Sequence, residues 1–336
     1  MSIKSSYRQI CWVCALVLSP MSGLSQATTN PAAAVTETEH PPMVDIMKKT
    51  VVFLFADCKT TLPDGSPGVA QYAGTAFLLS VADPRLGPGR SLTYLVTNRH
   101  MAQPGIEDGK PCEVSRYLVR LDSKTASANG SYSILATVPT DTFHWVFSAD
   151  LADDIAITSI GVDTDKFDVV FLPSDMLLGE SDVTKNRIVE GDSVLFTGLF
   201  VQFIGQVHAE PIVREGKVAM MPREKVPTTL HSLGDVYLVD SHVFGGNSGS
   251  PMFVDLAGQR DGSMNLGINY KLLGVVSGYE KEEPGFQMQA VASYAGTVAP
   301  NSGIAMVVPA QKIIDIINSS NLKQQRDAAV VALPPH

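Results

Sequence analysis

The hydrophobic residues of this chain fall in short runs, separated by clusters of Gly, Pro, Asn and Asp. From Val51 onward the runs are rich in Val, Ile, Leu, Phe and Tyr, namely VVFLF, GTAFLLSV, YLVTN, RYLVRL, SILATV, IAITSI, SVLFTGLF, VYLVD, LLGVVSGY and GIAMVVP. Short apolar runs bounded by turn-forming residues are typical of antiparallel strands, and an alternation of strands with helices is absent. The pattern therefore predicts an all-β fold.

One segment has helical spacing instead. Pro309 suits the first turn of a helix, and the isoleucines of the following sequence AQKIIDII recur at spacings that place them on one face. We predict a closing helix over 309–318. A flexible tail over 321–336, which ends in Pro-Pro-His, is expected to follow it.

The N-terminus has the composition of a secretory signal. Two basic residues precede an apolar run over 10–18, and the small residues Ser25 and Ala27 occupy the positions that a signal peptidase recognises. A membrane anchor is the alternative, but the run is far shorter than the ~20 residues needed to cross a bilayer. We therefore expect a signal peptide over 1–27 that is cleaved on export.

The residues that follow the expected signal peptide have the composition of a flexible segment. Residues 28–45 are rich in Thr, Ala, Glu and Pro and lack apolar periodicity, so they are expected to form a flexible lead-in. No later segment is long and apolar enough to span a bilayer. The mature protein is expected to have no membrane span and to be periplasmic or secreted.

Composition and charge narrow the possible partners. With 336 residues, of which 45% are hydrophobic, the chain can bury a full core. Its formal net charge is −9 and no cluster of Lys and Arg stands out, which argues against nucleic acid as a partner.

Four cysteines divide into two pairs. Cys11 and Cys14 lie in the expected signal peptide and are removed with it. Cys58 and Cys112 remain, and in an oxidising compartment we expect a disulfide between them, with two free thiols as the alternative.

Candidate chemistry is concentrated in the sequence FGGNSGSP over 244–251. Small residues on both sides of Ser248 allow a tight turn that leaves its hydroxyl uncovered, as a nucleophile requires. A serine needs a base and an orienting carboxylate. His100 follows the apolar run YLVT and is the candidate base, while Asp154 directly precedes the apolar alternation IAI and is the candidate orienter, with Asp153 as its rival.

These segments have a family resemblance. The order His, Asp, Ser, together with the sequences GTAFLL, VTNRH, DDIAI and GGNSGSP, resembles trypsin-like serine peptidases of the chymotrypsin fold, especially bacterial HtrA and glutamyl-endopeptidase forms. The resemblance implies a peptidase domain over 46–320 with two six-stranded-type antiparallel barrels, at about 48–175 and about 190–308. It also favours Asp154 over Asp153. No room follows the closing helix for a PDZ domain, which departs from the HtrA pattern.

The resemblance implies two further sets of site residues. The backbone amides of Gly246 and Ser248 would form the oxyanion hole. Substrate-binding residues would be His242, at the base of the specificity pocket, and the strand segment Val276, Ser277 and Gly278, which would pair with the substrate backbone. An ordinary structural histidine and an ordinary buried strand are the respective alternatives. Asn247 replaces the acid of digestive members, so activation by a new N-terminal ammonium is not expected.

The sequence therefore predicts an exported serine endopeptidase that hydrolyses peptide bonds in proteins or peptides through an acyl-enzyme on Ser248. No cofactor is expected. No metal is expected either, because His208 and Glu210 lie close together in the sequence but two ligands do not make a metal site. One alternative is a binding or chaperone-like protein that keeps the fold without turnover. The other is an esterase, which is disfavoured because Ser250 interrupts the G-x-S-x-G pattern.

Overall fold

The computed structural model describes residues 42–260, 263–265, 267, 269–281 and 301–332. The predicted signal peptide over 1–27 lies outside these residues, as do residues 28–41 of the predicted lead-in and the last four residues of the predicted tail.

The first half of the described chain forms an eight-stranded sheet. Its strands are β1 (Val51–Thr61), β2 (Pro67–Ala82), β3 (Ser91–Thr97), β4 (Val114–Asp122), β5 (Ser133–Pro139), β6 (Val146–Phe147), β7 (Ala156–Ser159) and β8 (Leu172–Pro173). Their order across the sheet is β5-β4-β1-β2-β3-β7-β6, and β8 pairs in parallel with β2. Only β6 and β8 are as short as two residues, so the sheet is built mainly from six antiparallel strands.

The second half contains a closed six-stranded barrel. Its strands are β9 (Ser193–Gly198), β10 (Ile212–Met220), β13 (Tyr237–Asp240), β14 (Pro251–Asp255), β17 (Tyr270–Lys281) and β18 (Asn301–Pro309). They close in the order β10-β13-β18-β17-β14-β9. Two small hairpin sheets accompany the barrel, β11 (Val226–Pro227) with β12 (Leu233–Gly234) and β15 (Gly258–Arg260) with β16 (Ser263–Asn265).

The two halves share one hydrophobic cluster. Phe53 and Phe77 from the first sheet pack in the same cluster as Leu195 and Phe253 from the barrel. All four side chains are 5% exposed or less, so their burial holds the halves together. The predicted fold class is confirmed, because the chain is an all-β chymotrypsin-type fold of antiparallel strands with a helix after the last strand.

Five helices lie within the described residues. They are α1 (Met43–Lys49), α2 (Arg99–Ala102), α3 (Glu180–Lys185), α4 (Ala310–Asn318) and α5 (Ser320–Ala332), with 3-10 turns at Pro84–Leu86 and Ser174–Met176. Helix α1 begins inside the range expected to be an unstructured lead-in. Across the described part of the chain, none of the helices combines the length and hydropathy required to cross a membrane.

The C-terminal region differs from the expected flexible tail. Helix α4 matches the predicted closing helix and buries Ile313, Ile316 and Ile317. After one residue the chain continues as α5, where Leu322 is completely buried and Arg326 Nη1 donates to the carbonyl oxygen of Ile317 at 2.5 Å. The helix carries no apolar stripe, so these contacts with the rest of the fold stabilise it rather than its own pattern.

A disulfide joins Cys58 at the end of β1 to Cys112 in the segment before β4, with a Cα–Cα distance of 5.8 Å. The backbone N–H of Cys112 also donates to the carbonyl oxygen of Pro104 at 2.8 Å. The bridge therefore anchors the segment that follows α2 to the first sheet.

Replacing both bridging cysteines, Cys58→Ser with Cys112→Ser, is expected to lower the free energy of unfolding by about 4 kcal/mol, because the bridge closes a loop across a sequence separation of 54 residues. Urea unfolding of the wild type and the double variant measures the difference. A reductant should destabilise the wild type by a similar amount and leave the double variant unchanged. Equal midpoints for the oxidised wild type and the variant would contradict the expectation.

Candidate active site

Ser248 lies in a tight turn that precedes β14, and the side chain of Asn247 holds this turn together. The Asn247 side chain accepts from the backbone N–H of Phe244 at 2.8 Å and donates through Nδ2 to the carbonyl oxygen of Leu199 at 2.7 Å. Asn247 is 1% exposed. The position that carries an acid in digestive peptidases therefore has a buried amide here, which connects the nucleophile turn to the end of β9.

The turn also contacts the first sheet through Thr75 of β2. The backbone N–H of Thr75 donates to the carbonyl oxygen of Ser248 at 2.8 Å, and its hydroxyl donates to the carbonyl oxygen of Gly246 at 2.8 Å. Gly249 has φ +87°, and a Cβ at this position would lie 1.9 Å from the carbonyl oxygen of Thr75. A glycine is required there because of both the backbone angle and the close approach of β2.

His100 and Asp154 meet where β3 ends and β7 begins. The two strands pair with Thr97 opposite Ala156, so the residues just beyond them lie side by side. Asp154 Oδ2 lies 2.7 Å from His100 Nδ1, and Asp154 Oδ1 accepts from the backbone N–H of His100 at 3.0 Å. The Asp154 carboxylate thus contacts both the ring and the backbone of His100, which fixes the orientation of the imidazole.

Asp153, the rival for this position, has different partners. It accepts from the hydroxyl of Ser148 at 2.6 Å, and its other oxygen forms an ion pair with Lys312 of α4 at 3.1 Å. Of the two neighbouring carboxylates, it is therefore Asp154 that contacts the imidazole of His100.

Two hydroxyl groups complete the surroundings of the Asp154 carboxylate, which is 1% exposed. Ser277 Oγ donates to Asp154 Oδ2 at 2.5 Å. Thr229 Oγ1 lies 3.2 Å from the same oxygen and 2.5 Å from Ser277 Oγ. Thr229 was not predicted, since the sequence around it carries no motif and its contact with Asp154 spans 75 positions. Together these groups compensate the cost of burying a charge.

The pairing shifts the pKa values of both groups. Burial by itself would lower the pKa of His100, but the negative charge and hydrogen bond of Asp154 outweigh it and raise the pKa above the ordinary value. Burial by itself would raise the pKa of Asp154, but the charge of His100 and hydrogen bonds from His100 and Ser277 lower it. Asp154 therefore remains ionised while His100 titrates.

These pKa shifts make the stability of the folded state depend on pH, in opposite directions for the two groups. The raised pKa of His100 adds stability below its unfolded-state pKa, and this contribution is lost as the pH rises through the folded-state pKa. The lowered pKa of Asp154 adds stability above its unfolded-state pKa, and this contribution is lost as the pH falls through the folded-state pKa.

Ser277 also lies next to the nucleophile candidate, because its backbone carbonyl oxygen accepts from the Ser248 hydroxyl at 3.2 Å. The hydrogen bonds therefore run from His100 to Asp154, from Asp154 to Ser277 and from Ser277 to Ser248. Among the described residues, the hydroxyl of Ser248 has this carbonyl oxygen and not the imidazole of His100 as its hydrogen-bond partner.

The residues predicted to form the oxyanion hole lie in the turn around Ser248, and those predicted to pair with the substrate lie in the neighbouring strand β17. Within the part of the chain that the structure describes, the amides of Gly246 and Ser248 donate to no protein acceptor, so both are available to a ligand. The backbone of Val276 is already paired, donating to the carbonyl oxygen of Ser250 at 2.9 Å and accepting from the N–H of Gly249 at 2.8 Å. A substrate backbone would therefore pair beyond Val276, near Gly278.

The remaining histidines singled out lie outside this cluster. His242 is exposed and its ring lies 3.6 Å from where a Cβ would stand on Gly303 of β18. His208 Nδ1 lies 3.0 Å from Asp122 Oδ2, and Glu210 lies 4.0 Å from Lys48. The described residues contain no group of three or more His, Cys, Asp or Glu that could hold a metal ion.

Comparison with known proteins gives distant structural likenesses. No family model matches the sequence, and no curated protein matches it. The chain is similar to the solved structure of Deg5, with 15% identity and a TM-score of 0.42 over 81% of this chain and 89% of that chain. It is also similar to Rv3671c from M. tuberculosis H37Rv, solved as a serine-to-alanine mutant in an inactive form, with 16% identity and a TM-score of 0.41 over 92% of this chain and 99% of that chain. We therefore infer the function from the geometry of the site itself.

An NMR titration of His100 tests the electrostatics of the site. The wild-type pKa is expected above about 6.5, and Asp154→Asn is expected to lower it because the amide carries no charge. A His100→Gln variant assigns the resonance. Asp122→Asn, at a carboxylate that pairs with His208 instead, is the control variant and should leave the His100 pKa unchanged. An identical His100 pKa in the wild type and Asp154→Asn would contradict the proposed pairing.

Proposed function

We propose that the protein is an exported serine endopeptidase in which Ser248 is the nucleophile, His100 the general base and Asp154 the group that orients it. The observation that carries this proposal is the set of hydrogen bonds that connects His100 through Asp154 and Ser277 to Ser248. Three motifs far apart in the sequence meet at this set, in the chain order of the chymotrypsin arrangement.

In the proposed reaction, His100 Nε2 takes the proton of Ser248 as Oγ attacks the carbonyl carbon of a peptide bond. The carbonyl oxygen becomes an oxyanion, which the amides of Gly246 and Ser248 stabilise. His100 then gives the proton to the leaving amine as the C–N bond breaks, leaving an acyl-enzyme. A water molecule attacks this ester by the same steps and releases the acid.

The Ser248 hydroxyl must change its partner for this reaction. It donates to the carbonyl oxygen of Ser277 in the absence of substrate, so rotation about its Cα–Cβ bond has to turn it to His100. Hydrogen bonds between nucleophile and base are often long or misaligned without substrate and tighten in the complex. The fixed orientation of His100 on Asp154 supports this step, because the imidazole is already held in one orientation before the hydroxyl turns.

Two observations support an exported protein that acts on polypeptides. A structural disulfide is characteristic of oxidising compartments outside the cytosol. The stretch of β17 beyond Val276 lies beside the nucleophile turn, where an extended peptide could add to the strand.

The substitution Ser248→Ala is expected to abolish labelling by a fluorophosphonate probe and hydrolysis of a denatured protein. The free energy of unfolding should change by less than about 0.5 kcal/mol, because only one partly exposed hydroxyl is removed. Mass spectrometry of the labelled wild type locates the probe. Turnover of a short ester without proteolysis would support the esterase alternative. A wild type that neither labels nor hydrolyses would support the binding protein.

The substitution Asp154→Asn should lower kcat by about 10⁴-fold, since it removes the charge that holds the tautomer of His100 and stabilises its imidazolium. In the wild type, kcat/KM should rise with pH through an apparent pKa above about 6.5, because the neutral imidazole is the active form. Steady-state rates from pH 5 to pH 9 measure both effects. Asp153→Asn is the matched control, and an equal loss of activity in the two variants would contradict the assignment to Asp154.

A further inference from the structure

A cavity of about 220 Å³ lies on the face of the first sheet that also carries Thr75. Its floor consists of Phe55 of β1 and Leu118 of β4, while Leu135 of β5 and Ile204 form its apolar walls. Gln71, Arg120 and Ser133 supply the polar part of the lining. The cavity shares no residue with the candidate active site.

The strand register connects this cavity to Ser248. Ala73 of β2 lies opposite Phe55, and Phe55 lies opposite Leu118, so the three side chains point to one face of the sheet. Thr75 is two residues from Ala73 and points to the same face, and its N–H donates to the carbonyl oxygen of Ser248. Two strand residues span about 7 Å and each strand spacing about 5 Å, which places Phe55 about 8 Å and Leu118 about 12 Å from Thr75.

The loop after β9 contacts both the surroundings of the candidate active site and the lining of the cavity. At its start, Leu199 donates to Thr75 Oγ1 at 2.9 Å and accepts from Asn247 Nδ2 at 2.7 Å. Further along, Arg120 Nη2 donates to the carbonyl oxygen of Gly205 at 2.7 Å, directly after Ile204. Because the loop is held at Leu199 and again at Gly205, the cavity is formed before a ligand arrives.

The position of Ser248 indicates which half of a substrate reaches the cavity. Its hydroxyl contacts Ser277 of β17, and its carbonyl oxygen contacts Thr75 of β2. In the proposed reaction the acyl half of the substrate pairs along β17. The leaving half must therefore run on the other side of Ser248, between β2 and the loop after β9.

We propose that this cavity is a binding site for an apolar side chain of the polypeptide substrate, three or four residues beyond the cleaved bond on the leaving side. An extended chain advances about 3.3 Å per residue, so a floor about 8 to 12 Å away is reached by the third or fourth residue. Leu135 is 54% exposed and would lose this exposure to water under a Leu, Ile, Met or Phe side chain of the substrate. The inference rests on the proposed endopeptidase function.

Internally quenched peptides test the proposal. They share one cleaved sequence, taken from a digest of a denatured protein, and differ only at the third and fourth residues after the cut. For the wild type, Leu at the preferred position should give a kcat/KM about tenfold higher than Ala. In Leu135→Lys this preference should disappear. Val189→Lys, at a residue 52% exposed and absent from the cavity, is the matched control and should keep it.

The rate of fluorophosphonate labelling at Ser248 separates the two levels of the argument, because the probe has no leaving-side residues. Equal labelling of the three proteins, together with loss of the Leu preference in Leu135→Lys alone, supports the cavity site. Normal labelling with no leaving-side preference, or with one that Leu135→Lys retains, overturns the cavity site but not the proposed function. A wild type that does not label overturns the proposed function, and the inference falls with it.

Discussion

The burial of one charged group, the Asp154 carboxylate, is the constraint on which the site depends. A carboxylate with 1% exposure is costly unless donors replace the water it loses. Here the donors are the backbone N–H and ring of His100 and the hydroxyl of Ser277, with Thr229 beside them. They come from α2, β17 and the segment between β11 and β12. The separate elements that meet at the site are therefore brought to one point by a single charge.

A second set of contacts determines where the nucleophile turn lies relative to that charge. Thr75 bonds to Gly246 and Ser248 through its side chain and backbone, and it also accepts from the N–H of Leu199. Asn247 bonds the turn to Leu199 as well. These bonds join the first sheet, the barrel and the turn without any charged group. Among the described contacts of this turn, an amide and a hydroxyl stand where an ion pair would carry charge.

Much of the site was predictable because its signals are local. Small residues around Ser248 and the apolar runs beside His100 and Asp154 are properties of short segments, and each segment indicates a turn or a strand end. Thr229 had no local signal, since its role depends on a contact across 75 positions. The same reason explains α5, which has no apolar stripe and depends on contacts with distant residues, such as the packing of Leu322 in the main hydrophobic cluster.

The strands were predicted unevenly for a related reason. Strands such as β1 and β3 are buried along most of their length and stand out as apolar runs. Strand β10 has the sequence IVREGKVAM, and it was missed because its charged residues lower the apolar density of a strand that is half exposed. Strand β14 was missed because its short apolar run directly follows the nucleophile motif. Likewise, the sequence could not show that Asp153 pairs with Lys312, because this ion pair depends on the position of α4.

The ion pair between Lys312 and Asp153 bears on the stage of synthesis at which the region around Asp154 can fold. Asp153 is 3% exposed and stands next to Asp154, and within the described part of the chain its ion-pair partner is Lys312 of α4. Ribosomes make the chain from its N-terminus, so residues 100, 154 and 248 all exist before residue 312 has been added. An unfinished polypeptide would hold a buried acid without this counter-charge beside Asp154, which disfavours folding of this region until α4 has been added.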